Sequence, residues 1–123
     1  MSKAMEHHNS INYIEMPVRD LDATKSFFTR AFGWQFEDYG PHYSCFINAG
    51  INGGFYQDAL TFNVTKGCPL VVLFSEDLEK TQSGVELAGG EITKAIFSFP
   101  GGRRFHFADP NGNEYAVWGH EPE

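Results

Sequence analysis

The chain contains one stretch twice. Residues 20–33, "DLDATKSFFTRAFG", align with residues 77–90, "DLEKTQSGVELAGG", at an offset of 57, and six of the fourteen positions are identical. At average composition about one match is expected by chance. Further on, "NGGFY" at 52–56 resembles "NGNEY" at 111–115 at an offset of 59, so a small insertion separates the two matches. A duplicated chain must build one supersecondary unit twice, and each copy needs the other to bury its apolar face. With 123 residues the pair makes one domain, large enough for a core without staples.

Both copies have the same order. A strand-like run, "INYIEMPV" or "PLVVLFS", leads to an acidic residue placed as a helix N-cap, Asp20 or Asp77. Apolar residues then recur at helical spacing: Phe27, Phe28, Ala31 and Phe32 in the first copy, Leu78, Thr81, Val85 and Ala88 in the second. Gly33 and Gly89-Gly90 stop these helices. Gly84 inside the second costs about 1 kcal/mol against Ala. Three extended segments follow each helix, at 34–39, 43–48 and 51–57, then at 91–99, 103–108 and 113–119. The unit is βαβββ and the class is α+β. Module one is expected at about 11–57 and module two at about 70–119, in a single domain over 11–119 behind a flexible tail at 1–10. Pairing the sheets edge to edge predicts one curved, cup-like mixed sheet with helices outside and a concavity for a small molecule.

Charge and composition exclude several partners. The formal net charge is −7, and the one basic run is Arg103-Arg104, so phosphate backbones are repelled and no nucleic-acid partner is expected. No apolar stretch approaches a membrane span. The start, "MSKAMEHHNS", lacks the apolar core of a signal peptide, and Cys45 and Cys68 sit in no metal or redox spacing. These features point to reduced thiols in the cytoplasm. Cys45 reads as core.

The duplication, together with "IEMPVRDLDATKSFFTRAFGW", "GINGGFY", "SEDLEKT", "ELAGG" and "FADPNGNEYAVW", resembles the glyoxalase/bleomycin resistance/dioxygenase superfamily, also called vicinal oxygen chelate proteins. The likeness runs from about Ile11 to Trp118. It is nearest to a subgroup of short, single-domain members that lack the metal site. Metal-dependent members hold a divalent ion with four side chains, usually His or Glu, from the first and last strand of each unit. The resemblance puts those positions at Tyr13, Gln57, Leu70 and Ala116. Leu and Ala supply no donor and neutral Tyr is a poor one, so no metal cofactor is expected. The resemblance also implies a homodimer, and exposed strand edges give pairing a physical reason.

With period two, Tyr13 and Glu15 share one face of the first strand, expected to be the interior. A Glu there is either structural, paired to an Arg or a backbone N–H, or a polar anchor or general base whose pKa burial raises. Glu114, beside a turn, reads as solvated. Ala116 and Trp118 share the interior face of the last strand, one leaving room and the other offering a stacking wall; core packing explains the pair equally well. Trp34 reads as packing between helix and sheet. Arg103 and Arg104 point to opposite faces, so at most one reaches a cavity anion.

The leading expectation is therefore a metal-free protein that holds a small aromatic or amphiphilic molecule in the cup, with Tyr13, Glu15, Gln57, Leu70, Ala116 and Trp118 as its lining. The first alternative is an enzyme of the lyase, isomerase or dioxygenase kind. It would use Glu15 as catalytic base, or a relocated divalent metal on His106 with Glu15 or Glu114. The second is a dimeric interaction module.

Overall fold

The computed structural model describes residues 6–122. Half of the expected tail, residues 1–5, lies outside the described residues; residues 6–10 are exposed, with a turn closed by the Ser10 N–H donating to the His7 carbonyl. Two βαβββ modules follow. The first is β1 (Tyr13–Val18), α1 (Leu21–Phe32), β2 (Gln35–Asp38), β3 (Tyr43–Ile47) and β4 (Asn52–Gln57). A short 3-10 turn at Val64–Lys66 crosses to the second: β5 (Val71–Phe74), α2 (Leu78–Leu87), β6 (Glu91–Phe99), β7 (Gly102–Ala108) and β8 (Glu114–Gly119).

Both helices start where the repeat requires. The Asp20 carboxylate accepts the Ala23 N–H at 3.0 Å, and Asp77 accepts the Lys80 N–H at 3.2 Å, satisfying donors that no helix can pair internally. Gly33 ends α1 with φ at 75°, in the left-handed region that a side chain disfavours.

The sheets have the orders β1-β4-β3-β2 and β5-β8-β7-β6, each with one parallel pair next to antiparallel ones. The expected continuity between them is not a hydrogen-bonded one: among the described residues no ladder joins β1 to β5. The reason lies in α1, whose rings serve both modules. Phe28 stacks on Trp34 at 4.6 Å and meets Phe55 of the first sheet at 5.5 Å and Tyr115 of the second at 5.2 Å. Phe27 meets Phe107 at 5.9 Å. The modules therefore share one aromatic core between their helix-bearing faces. Each buried ring contributes about 1.5–3 kcal/mol. Trp34 is buried in this core, as expected of a packing residue.

The "DPNGN" segment does more than turn the chain. Asn111 Oδ1 accepts the N–H groups of Arg19 and Asp20, both at 3.0 Å, and its amide donates to Thr24 Oγ1. Asn113 donates to the Pro17 carbonyl and accepts the Phe62 N–H. The turn before β8 thus clasps the β1–α1 corner of the other module. Asp109 organises it by accepting the N–H groups of Asn111 and Asn113. Burial raises the Asp109 pKa although these bonds pull it down.

Candidate functional site

Each sheet has one face against the shared core and one face open. On the first sheet, register puts Glu15 opposite Gly54 and Gly54 opposite Cys45. A Cβ on Gly54 would collide with the Tyr43 ring and hydroxyl. Because that Cβ is missing, Tyr43 lies across β4 and reaches β1. Its hydroxyl donates to Glu15 Oε2 at 2.9 Å and hydrogen-bonds to the Tyr13 hydroxyl, which also meets Cys45 Sγ at 3.2 Å. Gly53 plays the same part on the core side, where its missing Cβ admits Phe46. Burial raises the Tyr43 pKa, helped by its bonds to Tyr13 and Glu15; burial and the Cys45 contact raise that of Tyr13. Both phenols stay protonated, so the face carries hydroxyls and one carboxylate, joined in a chain.

The second sheet's open face is apolar. Val72, Ala116 and His106 lie side by side across β5, β8 and β7, and Phe74, Trp118 and Arg104 form the next row. Val72 and Phe74 are 42% and 50% exposed. Phe74 meets the Trp118 indole edge-on at 5.0 Å, and Phe99 flanks it at 6.5 Å. Val72, Phe99, Gly101, Arg104 and Trp118 enclose a concavity of about 320 Å³.

Towards the other end, His106 Nδ1 lies 2.9 Å from Glu114 Oε2, and Glu114 Oε1 accepts the Val64 N–H. Burial opposes the Glu114 charge, but the Val64 N–H and His106 outweigh it and its pKa is lowered. These two residues help line a second, more polar concavity of about 340 Å³ with Lys94, Thr93 and Asn63. A larger cavity, about 460 Å³, lies between the modules among Ile14, Trp34, Phe46, Ile51 and β5. No ionisable side chain lines it, and its lining is apolar apart from Asn48 and the Trp34 indole N–H.

The candidates from sequence are only partly brought together. Tyr13 and Glu15 share the first sheet's open face; Ala116 and Trp118 share that of the second, and no hydrogen bond or ring contact among the described residues joins the two faces. Glu15 is exposed, so the burial that a poised base requires is missing, and its partner is a tyrosine hydroxyl in place of the expected Arg or N–H. Ala116 is fully buried and opens no space. Leu70 is half-buried just before β5. Glu114 is held by two bonds where a solvated residue was expected, and Cys45 sits on the open face where core was expected.

Gln57 falls on the face opposite Tyr13 and Glu15. Phe55 and Tyr115 are the core-facing pair, 60 residues apart, so the offset of 59 read from "NGGFY" and "NGNEY" misses by one and inverts the face. Tyr56, paired with Tyr43, takes the open-face position. Sequence reasoning misses Tyr43, Phe99 and Phe74, and raises Arg104 only as one of two arginines of which at most one reaches a cavity anion. Gly53-Gly54 within a strand was the available signal, since a mid-strand glycine marks close approach of another group.

A sequence model of the Glyoxalase/Bleomycin resistance protein/Dioxygenase superfamily matches residues 10–117. The chain belongs to this superfamily. Comparison with curated proteins gives no match. Among solved structures, a glyoxalase-related enzyme from Fulvimarina pelagi is 18% identical, with a TM-score of 0.73 and coverage of 91% of this chain and 88% of that one. TioX from Micromonospora is 18% identical at a TM-score of 0.71, covering 91% and 99%. A mutant of the fosfomycin resistance protein FosX from Listeria monocytogenes, complexed with Mn(II) and a dihydroxypropylphosphonic acid, is 16% identical at 0.73, covering 91% and 90%. Likeness at this identity establishes the glyoxalase/bleomycin resistance fold alone.

The superfamily's metal does not fit this chain. Leu70 and Ala116 bring no donor, Tyr13 is held as a neutral phenol, and Gln57 faces the other way. Among the described residues no three His, Cys, Asp or Glu side chains form a group able to hold a metal ion. His106 and Glu114 meet, but they bind each other, and Glu15 belongs to the other sheet. Two donors fall short of the three or more that catalytic sites use.

Proposed function

We propose that this member of the superfamily binds a small, flat, aromatic or amphiphilic molecule, and does so without a divalent metal. The reading is carried by the apolar wall of this face, where Val72 and Phe74 are exposed and Val72, half-buried Phe99 and half-buried Trp118 line the concavity. Flat rings stack on such walls with offset or edge-on geometry, contributing about 0.5–1.5 kcal/mol per pair beyond the area they bury. Tyr13 and Glu15 are the polar groups of the other open face. The donor set at the metal positions supports the metal-free part.

A homodimer belongs to the same proposal. β1 and β5 present edges that no strand pairs among the described residues, and the apolar side chains beside β5 favour cover. Both cysteines are free thiols, which fits the cytoplasm, and no helix among the described residues is long and apolar enough to cross a membrane.

The experiment is a titration of chelator-treated protein with 2-naphthol, read by intrinsic tryptophan fluorescence. Saturable quenching is expected, and Trp118→Phe should abolish it while buried Trp34 still reports a folded core. Quenching that requires added divalent metal, or that survives Trp118→Phe, contradicts the reading. Light scattering giving a monomer would remove the dimer from the proposal.

A further inference from the structure

The two adjacent arginines have different surroundings. Arg103 reaches Glu79 of α2 through both terminal nitrogens, at 2.6 and 3.2 Å, and lies 3.9 Å from Glu121. Arg104, on the open face, has no carboxylate partner among the described residues. Its guanidinium lies over Phe97 at 5.4 Å and Phe99 at 5.7 Å. The Nε atoms of both arginines are buried without a hydrogen-bond partner, but that of Arg103 has Glu121 nearby and that of Arg104 has no carboxylate within reach among the described residues. Two positions along the same face, His106 Nε2 is also buried and unpartnered, and its ring packs 6.0 Å from the same Phe97. Lys94 Nζ sits 5.0 Å from that ring as well.

In a chain with sixteen acidic residues against nine basic ones, a basic group has many possible partners. This arginine has rings in their place. Aromatic faces stabilise a guanidinium and hold it still, but they accept none of its N–H donors in line. A partly desolvated cation with an unused donor costs free energy until an anion meets it. Arg104 is also the one charged residue lining the concavity formed by Val72, Phe99, Gly101 and Trp118. The geometry is a flat apolar wall with a fixed cation at its edge.

We propose that Arg104 is the anchor for a carboxylate, and that the ligand of this face is a small molecule with a flat apolar body and one carboxylate group. The body lies against Trp118, Phe99 and Val72, and the carboxylate takes the N–H groups of the guanidinium's terminal nitrogens, since Nε itself is buried. This rests on the proposal that the open face of the second sheet binds small molecules, and it adds the ligand's charge. Guanidinium suits the role because its planar fork matches a carboxylate, where an ammonium acts as a point charge. The two register shifts in β6, between Ile92 and Lys94 and between Lys94 and Phe97, fall beside the residues that crowd the cation. Bulges commonly re-aim side chains next to binding sites.

The test is calorimetric titration of the full chain with 2-naphthoate and its neutral counterpart 2-naphthamide. The parent should bind naphthoate about tenfold more tightly, a difference of about 1.4 kcal/mol. Arg104→Gln should equalise the two affinities while keeping weak binding of the amide, and Arg104→Lys should restore part of the preference. Added salt should weaken the acid's binding more than the amide's. Equal affinities in the parent, or a preference that survives Arg104→Gln, would overturn the proposal while leaving aromatic binding intact. Failure of both probes to bind would overturn this proposal and the underlying reading together. Should Arg104→Gln fail to fold, the ratio in the parent still decides.

Discussion

The two open faces come from the same βαβββ unit and have opposite chemistry. On the first, every polar side chain singled out has a partner: the Tyr43 hydroxyl donates a hydrogen bond to Glu15, Tyr13 joins Tyr43, and Cys45 joins Tyr13. On the second, an apolar wall is partly exposed, Arg104 at its edge has no carboxylate partner among the described residues, and the Nε atom of Arg104 and the Nε2 atom of His106 are buried without hydrogen-bond partners. A satisfied network stabilises its own strand and asks nothing of a ligand. An unsatisfied cation beside exposed rings favours a ligand that completes it. Duplication thus supplies two copies of one scaffold, with a closed hydrogen-bond network on one open face and, on the other, the surface proposed above for binding.

The most disruptive way to probe this contrast is Gly54→Ala. The new Cβ must displace Tyr43 from β4 and so breaks the chain of hydroxyls. A loss of about 1–3 kcal/mol is expected from urea unfolding; an unchanged midpoint would mean that the first face is not a structural unit. Tyr43→Phe keeps the ring and removes the link, and should cost about 0.5–1.5 kcal/mol. If it left stability unchanged, the hydroxyl chain would carry no weight.

A smaller, pH-dependent effect belongs to Glu114. Its lowered pKa means that the carboxylate contributes stability in full above the ordinary value of 4.5, and that this is lost as pH falls through the lowered value. The melting-temperature gap between the parent and Glu114→Gln should be widest near neutrality and close in acid. A gap independent of pH would sever Glu114 from this account. Smallest of all is Arg104→Met, expected to change stability by about 0.5 kcal/mol or less, because no carboxylate loses its partner. A large destabilisation would make Arg104 a structural residue like those of the first face.

Much of the scaffold was legible because its signals are local. Asp20, Asp77 and Gly33 mark helix ends by chemistry that acts within a few residues, and the duplication carries the strand order from one copy to the other. The site was less legible because it depends on which strands become neighbours. The parity of β4 hinges on a single residue of offset, so Gln57 and Tyr56 exchange faces. Glu114 looks like a turn residue until β7 brings His106 beside it and the crossing segment brings Val64. Arg103 and Arg104 were correctly sent to opposite faces by alternation, but alternation cannot say that α2 supplies Glu79 to one and β6 supplies only rings to the other. The clasp of Asn111 and Asn113 onto the β1–α1 corner spans most of the chain, and no local pattern announces it.

The most direct test of the central claim is nuclear magnetic resonance mapping of chelator-treated, isotope-labelled protein titrated with 2-naphthoate. Perturbed signals are expected to cluster at Val72, Phe74, Phe99, Arg104 and Trp118, with Tyr13, Glu15 and Tyr43 unmoved and no metal required. Perturbations centred on Tyr13, Glu15 and Tyr43, or appearing only after a divalent metal is added, would contradict it.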